Sequence, residues 1–312
     1  MKKFIKELKA GEPVESVFFL KKKELAKTQA GKPYLKLTVS DRTGRLEAKM
    51  WENAGTADEM IATGEAVFVR GSVETYRGEV QLRVDEIRLA QEGEYKFEEL
   101  VRTVENGDEI FKKIGAALEK ISDRHLAALA KKFLDDKDLM DKFKRSPGAQ
   151  NWHNAYIGGL MEHTYEVMHI GVEVCGFYPE ANRDIVIMGA FAHDIGKTSE
   201  LDINTFEYTV EGGLIGHLTL GFEVLSRKIA GIDKFPKELA TALEHIILSH
   251  HGEYEQQSPV LPKTLEATIV YHADELVSQA NAVKELIQSQ SGGEKTWSNF
   301  VTIKNRKYLL KK

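Results

Sequence analysis

The sequence predicts a multidomain α+β protein in which a small five-stranded β-barrel is followed by an all-helical body. Apolar and polar side chains alternate through most of the first 90 residues, which is typical of half-buried strands. From about residue 109 onward the apolar residues recur at helical spacing instead. All ten histidines lie between residues 125 and 272, so we expect the chemistry in the helical part.

The first 90 residues contain five strand-like segments. Leu35, Leu37 and Val39 alternate with polar neighbours, and the turn sequence SDRTG joins their segment to the next one. A short helical stretch, ADEMIATG, separates the third segment from the fourth. This order is similar to that of the OB-fold, a five-stranded Greek-key barrel that binds oligonucleotides. The five segments are residues 13–28, 34–41, 45–51, 65–76 and 79–90.

The chain after residue 90 divides into three parts. Residues 91–150 are predicted to be a charged, helical connector that ends at the break SPGAQ. Residues 151–290 form the main helical domain, and residues 291–312 form a basic tail. Within that tail, the stretch KTWSNFVTIKNRKYLLKK contains six Lys and Arg residues and no acidic residue. Helices of the main domain are expected over 152–175, 181–195, 214–230, 236–251 and 263–288.

The composition is that of a soluble globular protein, with 42% hydrophobic and 29% charged residues among 312. No apolar stretch approaches the roughly 20 residues of a membrane-spanning helix, and the N-terminus does not resemble a signal peptide. The lone cysteine, Cys175, excludes an intrachain disulfide. We therefore expect a cytoplasmic protein with no membrane partner. Residues 1–90 carry 17 Lys and Arg against 14 Asp and Glu, and the remainder carry 26 against 34. This asymmetry suggests that residues 1–90 bind a polyanion and that the rest of the chain binds cations.

Histidines and carboxylates recur in five segments of the main helical domain. Imidazole nitrogens and carboxylate oxygens are the ligands that Zn, Fe, Ni and Mn accept. Each segment falls on a different predicted helix, and glycine stands beside several of the histidines. A convergent metal centre is therefore predicted. The segments are GGLMEHT with His163, FAHDIGK with His193 and Asp194, IGHLTLG with His217, LSHHGEY with His250 and His251, and VYHADELV with Asp274.

This ordered set resembles the HD-domain superfamily of metal-dependent phosphohydrolases, whose motif order is H…HD…H…HH…D. The resemblance spans roughly residues 150–285. It implies a two-metal centre in which the aspartate of the HD pair bridges both ions. The implied ligands are His163, His193, Asp194 and Asp274 for the first ion, and Asp194, His217 and His250 for the second.

Three residues are assigned catalytic roles. Asp194 would bridge the ions, and Lys197 follows the HD pair by about one helical turn, close enough to reach a scissile phosphate as a point charge. His251 would lie beside the second ion, where it can bind phosphate or transfer a proton. The sequence leaves open whether His153 lines the pocket. Packing roles are expected for Cys175, His125, His169, His245 and His272.

The order of the two domains narrows the resemblance. A barrel followed by this helical domain looks like the YhaM-type 3′→5′ exoribonuclease family, which the stretches NAYIGGLMEHT and AHDIGK also fit. Cyclic-dinucleotide phosphodiesterases of the superfamily have a Gly-Tyr-Pro signature soon after the HH pair. This chain has HHGEYEQQSP there, without that signature, so this branch of the superfamily is disfavoured. The resemblance implies single-stranded RNA as substrate, with single-stranded DNA as a further candidate, and nucleoside monophosphates released from the 3′ end. It also implies two divalent ions, with Mn²⁺ first and Fe, Ni, Co, Zn or Mg as alternatives.

The barrel offers candidate residues for binding an unpaired strand. Such grooves combine cations along the backbone with aromatic rings that stack on bases. Lys36, Lys49 and Trp51 belong to neighbouring strand segments and can share a face, whereas Tyr34 and Trp51 can instead pack the barrel. The basic tail can contact RNA, dock on the body or pair subunits. The nucleic-acid candidates are Tyr34, Lys36, Lys49, Trp51, Arg70, Tyr76 and Arg77.

Two other functions fit parts of the pattern. The first is a nucleotide or cyclic-nucleotide phosphodiesterase in which the barrel is a regulatory sensor. The second is a nucleic-acid-binding protein with an inactive metal site, against which the complete ligand set argues. A homo-oligomer, either a ring or a dimer, is compatible with the sequence.

Overall fold

The structure, a computed structural model, describes residues 3–76, 78–150, 154–290, 296–301 and 305–310. It divides the chain into two compact units, Met1–Thr103 and Val104–Lys312. The first unit is built on a closed β-barrel and the second is helical, so the predicted fold class is confirmed. The division falls inside the predicted connector, whose first residues belong to the barrel unit. No helix in the described part of the chain is long and apolar enough to cross a bilayer.

The barrel of the first unit closes in the strand order β1-β2-β3-β5-β4. Neighbouring strands run antiparallel except β3 and β5, which run parallel. This is a five-stranded OB-type barrel, as the strand order in the sequence predicts. The strands are β1 (Pro13–Lys27), β2 (Pro33–Asp41), β3 (Gly44–Met50), β4 (Ala66–Tyr76) and β5 (Glu79–Leu89), with helix α1 (Ala54–Met60) between β3 and β4.

Period-two alternation fills the barrel interior. Leu35, Leu37 and Val39 of β2 are at most 1% exposed, as their spacing predicts. A β-bulge interrupts the pairing of β4 with β5 between Arg70 and Gly71. A Cβ at Gly71 would lie 1.9 Å from the backbone oxygen of Arg83, so the two strands can approach this closely only because the residue is glycine.

The helices of the second unit follow the predicted order, but the helices predicted over 152–175 and 214–230 begin later than expected, the second of them at His217. The helix predicted over 152–175 begins only at Gly159, because Asn154 and Gly158 adopt left-handed conformations that α-helix excludes. The helices are α2 (Phe97–Leu100) in the first unit, and α3 (Gly107–Leu118), α4 (Arg124–Leu134), α5 (Lys137–Arg145), α6 (Gly159–Cys175), α7 (Arg183–Ala192), α8 (Lys197–Glu200), α9 (Val210–Ile215), α10 (His217–Ala230), α11 (Lys237–Ser249) and α12 (Leu265–Gln290) in the second.

The first turn of helix α7 is hydrogen-bonded to the loop that precedes α4. The side chain of Asn182 caps the helix by accepting hydrogen bonds from the backbone N–H groups of Asp184 and Ile185. Asp184 is itself buried, and its Oδ2 accepts from the backbone N–H groups of Ser122 and Asp123 and from the Ser122 hydroxyl, at 2.7–2.8 Å. These bonds fix the start of α7 to the loop that precedes α4.

The body of α7 has no exposed face. Every residue from Asp184 to Ala192 is buried. Phe191 packs edge to face against Phe133 of α4 and Phe143 of α5, with ring centroids 5.5 and 5.7 Å apart. Because α7 is enclosed, the residues that follow it, starting with His193, are held in the interior of the unit.

Two histidines outside the predicted ligand set, together with Cys175, make contacts away from the candidate metal centre. His245 Nε2 accepts a hydrogen bond from the backbone N–H of Lys263 at 2.9 Å, and His169 stacks on Tyr165. Cys175 is a buried free thiol. The buried thiol of Cys175 and the half-buried ring of His245 are compatible with the packing roles expected from the sequence, whereas His169 is exposed and contacts the surface of its own helix through Tyr165.

The described part of the basic tail forms a short antiparallel pairing. Trp297 bridges to Leu309, and Val301 bridges to Arg306. Trp297 and Leu309 are 55% and 56% exposed, whereas Leu310 is buried. The tail therefore contains local β-structure, which the sequence pattern did not predict.

Phe191→Ala is expected to lower the free energy of unfolding of the helical unit by about 3–5 kcal/mol, because it opens a cavity between three helices. Phe191→Leu, which fills most of that space, should cost clearly less. Chemical denaturation followed by circular dichroism measures the difference, with the half-exposed Phe97→Ala as a surface control. An alanine variant as stable as the parent would contradict the described packing.

Candidate metal centre

Five helical segments bring the predicted ligands to one place in the second unit. Four of the six residues are at most 2% exposed, so the centre is largely enclosed. The other two, on α10 and α12, have side chains that are 13% and 16% exposed. The ligands are His163 in α6, His193 and Asp194 after α7, His217 at the start of α10, His250 after α11 and Asp274 in α12.

The first cluster consists of His163, His193 and Asp274, whose ligand atoms lie within 4.8 Å of one another. His163 Nε2 is 3.0 Å from Asp274 Oδ1 and 3.3 Å from His193 Nε2. Two imidazoles and one carboxylate that face a common point form a typical donor set for a divalent transition metal.

The second cluster consists of His217, His250 and His251, again with ligand atoms within 4.8 Å of one another. His217 Nε2 is 3.1 Å from His251 Nε2. The sequence assigned His251 a phosphate-binding or proton-transfer role. Its position beside two predicted ligands makes it a candidate third nitrogen ligand as well.

Asp194 lies between the two clusters. Its Oδ2 is 3.3 Å from His193 Nε2 and 3.7 Å from His163 Nε2, on the side of the first cluster. Its Oδ1 is 3.5 Å from His217 Nε2 and 3.4 Å from His250 Nε2, on the side of the second. One carboxylate oxygen therefore faces each cluster, which is the arrangement that a bridging ligand requires.

Backbone carbonyls orient two of the imidazoles. His193 Nδ1–H donates to the carbonyl of Ala190 at 2.7 Å, and His250 Nδ1–H donates to the carbonyl of Ile247 at 2.9 Å. With Nδ1 engaged as donor, each ring presents the lone pair of Nε2 to the centre, as ligation by that nitrogen requires.

Unsatisfied polar atoms test whether the centre fits metal ions. Among the residues that the structure describes, Asp194 Oδ1 and His250 Nε2 are buried and have no hydrogen-bond partner. Buried polar atoms in this state are costly unless something else satisfies them. Both are electron-pair donors, and they face each other across 3.4 Å. The donor set and these two atoms therefore fit a cation held at the centre.

The protonation states of His250 and of the two aspartates suit ligation, whereas the charge of Asp194 outweighs burial and raises the pKa of His193. Burial lowers the pKa of His250 to about 3, so the ring is neutral near pH 7, as a ligand must be. Burial opposes ionisation of Asp194, but Lys197 and His193 outweigh it and hold its pKa well below the usual range. The pKa of Asp274 is likewise lowered, because His163 outweighs the effect of burial.

Lys197 makes an ion pair with the shared carboxylate. Its Nζ is 2.6 Å from Asp194 Oδ2, and its side chain is 15% exposed. Burial works to lower its pKa, but the charge of Asp194 outweighs burial and raises it. Lys197 is therefore cationic at the edge of the first cluster. The phosphate contact that the sequence suggested stays a prediction.

Glu200 is a buried carboxylate of the centre that the sequence did not reveal. Its Oε1 accepts from His217 Nδ1–H at 2.8 Å and from the His217 backbone N–H at 2.9 Å. Burial opposes its ionisation, but the hydrogen bond with His217 outweighs burial and lowers its pKa. A glutamate that ends a short helix forms no motif, and its partner is 17 residues away. Its proximity to the HD pair is the only signal in the sequence.

Glycine allows the turn after the HD pair to contact α10. A Cβ at Gly196 would lie 2.0 Å from the backbone oxygen of His217 and 2.6 Å from the backbone nitrogen of Gly221. No larger residue fits there without moving one of the two backbones. This close approach sets the distance between the Asp194 turn and the start of α10.

Aromatic and basic side chains form a cluster on the outer face of the barrel, which we call the barrel platform. Tyr34 and Trp51 stack with ring centroids 4.7 Å apart. Lys36 Nζ lies 6.0 Å from the Tyr34 ring, and Lys49 Nζ lies 4.8 Å from the Tyr76 ring and 6.0 Å from the Trp51 ring. Trp51 and Tyr76 are 39% and 51% exposed. Five of the seven nucleic-acid candidates therefore lie together.

Of the two other barrel candidates, Arg70 makes a different contact. Arg70 lies on β4 six residues before Tyr76, at the bulge, and forms an ion pair with Glu86 on β5. Arg77 lies outside the described residues, as does His153, the open candidate for the pocket wall.

Asp194→Ala is expected to weaken the binding of both metal ions, because its two oxygens face different clusters. Asp274→Ala should weaken only the first ion, since Asp274 belongs to one cluster. Calorimetric titration with Mn²⁺ and elemental analysis after dialysis measure both affinities. We expect losses of at least about tenfold. The exposed Asp233→Ala is the control, and an Asp194→Ala protein that keeps both ions would refute the bridging geometry.

Comparisons with known proteins agree with both units. Residues 160–278 match the family model described as HD domain, and residues 20–90 match the one described as OB-fold nucleic acid binding domain. Relatives named 3′-5′ exoribonuclease YhaM occur in Listeria welshimeri, 32% identical over 306 residues, and in Listeria innocua, 31% identical over 298 residues. Each alignment covers 94% of this chain and 94% of the relative. A relative of the same name in Geobacillus sp. is 29% identical over 311 residues, 99% of this chain and 95% of that protein. The resemblance noted in the sequence is thus confirmed, and the chain belongs to the YhaM 3′-5′ exoribonuclease family.

Proposed function

We propose that this protein is a metal-dependent 3′→5′ exoribonuclease that releases nucleoside monophosphates from single-stranded RNA, with single-stranded DNA as a further candidate substrate. The observation that carries the proposal is the Asp194 carboxylate between two ligand clusters, because this arrangement suits two-metal phosphodiester hydrolysis. The names of the relatives support the reaction and its direction. The OB-fold domain supports a polymeric, unpaired substrate.

Each cluster would hold one divalent ion. The mixture of imidazole and carboxylate donors favours a transition metal such as Mn²⁺ over Mg²⁺, which prefers oxygen ligands. When bound, such ions lower the pKa of the attacking water and neutralise the phosphate oxygens. The proposed ligands are His163, His193 and Asp274 for the first ion, His217, His250 and His251 for the second, and Asp194 for both.

The chain's own residues orient and neutralise the scissile group. Asp194 would be a ligand that the two ions share. Lys197 places a compact positive charge at the edge of the first cluster, where it can neutralise a phosphate oxygen. His251 donates its Nδ1–H to the carbonyl of Gln256, which directs Nε2 inward for ligation or proton transfer.

The barrel platform would hold the unpaired strand. Exposed Trp51 and Tyr76 offer faces on which bases stack, and Lys36 and Lys49 supply cations for the phosphates. Lys36 is already paired with Glu24, so its contribution to an incoming strand is smaller than that of Lys49. A platform of this kind is useful to an enzyme that acts on a polymer and has no evident use on a mononucleotide.

Asp194→Ala is expected to abolish hydrolysis while strand binding persists, because the metal bridge is lost and the barrel is unchanged. The activity loss should exceed the roughly 100-fold that accompanies loss of an outer-shell partner. The measurement is digestion of 5′-labelled single-stranded RNA with Mn²⁺, together with a filter-binding assay. A ladder that shortens from the 3′ end supports the proposal.

Two results of the same experiment would reject it. Intact RNA alongside hydrolysed mononucleotides or cyclic nucleotides would favour the phosphodiesterase with a regulatory barrel. Strand binding without any hydrolysis by the metal-loaded parent would favour the binding protein with an inactive site.

Trp51→Ala is expected to weaken the binding of single-stranded RNA by about 1–3 kcal/mol, because it removes one stacking face. The matched control is Phe97→Ala, since Phe97 belongs to the same unit and is exposed to nearly the same extent, 41% against 39%. Fluorescence anisotropy of a labelled oligonucleotide with metal-free protein measures the affinities. Equal affinities of the two variants would remove Trp51 from the proposed interface.

A further inference from the structure

His217 is oriented differently from the other histidines of the second cluster. His250 and His251 each donate Nδ1–H to a backbone carbonyl, as His193 does in the first cluster. His217 donates instead to the carboxylate of Glu200. A carboxylate behind a ligating imidazole fixes its tautomer and makes it a stronger donor than a carbonyl does.

The two clusters also differ in charge. The first contains the carboxylate of Asp274 in addition to the shared Asp194. Among the residues that the structure describes, the second contains three imidazoles and, beyond Asp194, no carboxylate of its own. Glu200 contacts His217 directly, so it places a further negative charge behind a predicted ligand of that cluster.

The side chain of Glu200 is buried and is hydrogen-bonded to His217. It is 7% exposed, and its Oε1 accepts both the ring N–H and the backbone N–H of His217, the first residue of α10. A Cβ at Gly212 would lie 2.1 Å from the Glu200 carbonyl oxygen, and Thr209 N–H donates to that oxygen at 3.0 Å. The loop between the two residues therefore packs onto the backbone of Glu200 and fixes the point from which its side chain extends.

We propose that Glu200 is a positioning residue that builds the second metal site. It fixes the tautomer of His217, holds the start of α10, and supplies the negative charge that a cluster of three imidazoles lacks. This inference rests on the proposed two-metal function. Glu200 acts through His217 and does not contact the substrate, so its removal should affect one ion and leave the other in place.

The test is the number and affinity of bound Mn²⁺ ions in the full-length protein. We expect the parent to bind two ions, and Glu200→Ala to bind the first with parental affinity and the second about 10–100-fold more weakly. Glu200→Gln keeps an acceptor for His217 without the charge, so its second affinity should fall between these two. Electron paramagnetic resonance gives an independent readout: coupled ions in the parent, and an isolated Mn²⁺ signal in Glu200→Ala.

Asp184→Asn is the matched control, because Asp184 is also a buried carboxylate that accepts several hydrogen bonds, but none from the metal centre. It should lower the melting temperature and keep two ions. Parental affinity for both ions in Glu200→Ala, or equal loss of both, overturns the inference, and the isosteric Glu200→Gln decides it where the alanine variant does not fold. A parent that binds two coupled ions but leaves RNA intact refutes the proposed function and leaves the role of Glu200 standing.

Discussion

The position of one buried carboxylate constrains the rest of the centre. Asp194 presents one oxygen to each cluster, so both depend on where its backbone lies. That backbone continues directly from α7, which is enclosed along its length and wedged by Phe191 between two other helices. The packing of the hydrophobic core therefore sets the distance from Asp194 to every histidine. The hydrophobic core and the candidate metal centre are therefore parts of one packed structure.

The remaining predicted ligands reach Asp194 from four other helical segments, and short contacts fix their approach. Gly196 lets the turn after Asp194 touch the start of α10. Glu200 then holds both the ring and the backbone of His217. One short stretch after α7 thus supplies the shared carboxylate, a nearby cation in Lys197, and the support for a ligand on another helix. The same few residues therefore contribute a carboxylate, a positive charge and a supporting contact.

Much of this arrangement could be predicted from the sequence, since it depends on local patterns. Alternating Leu35, Leu37 and Val39 indicated the barrel, and the order of the histidine motifs indicated which helices meet. Contacts between residues without a motif could not be predicted. The link from Glu200 to His217 and the ion pair of Arg70 with Glu86 depend on how distant segments pack.

Errors in the expected helix bounds have a similar origin. Apolar spacing continues through NAYIGG, so the pattern extended the helix back to residue 152. In the structure the helix begins only after Asn154 and Gly158, because their positive φ angles are incompatible with an α-helix. Asparagine and glycine tolerate a positive φ but do not require one. Whether such a residue adopts it depends on the tertiary packing around it.

His193 and His250 occupy equivalent places, each the first residue after its helix. Each ring nitrogen that faces away from the centre binds a carbonyl in the last turn, a group that helix geometry would otherwise leave unpaired. The ligand is thus also the terminator of the helix that carries it. An aspartate or cysteine at either place would still offer an atom to a cation but would leave that carbonyl without its donor. Histidine at these two predicted ligand positions is therefore favoured by the backbone of its own helix as well as by any metal ion that it would bind.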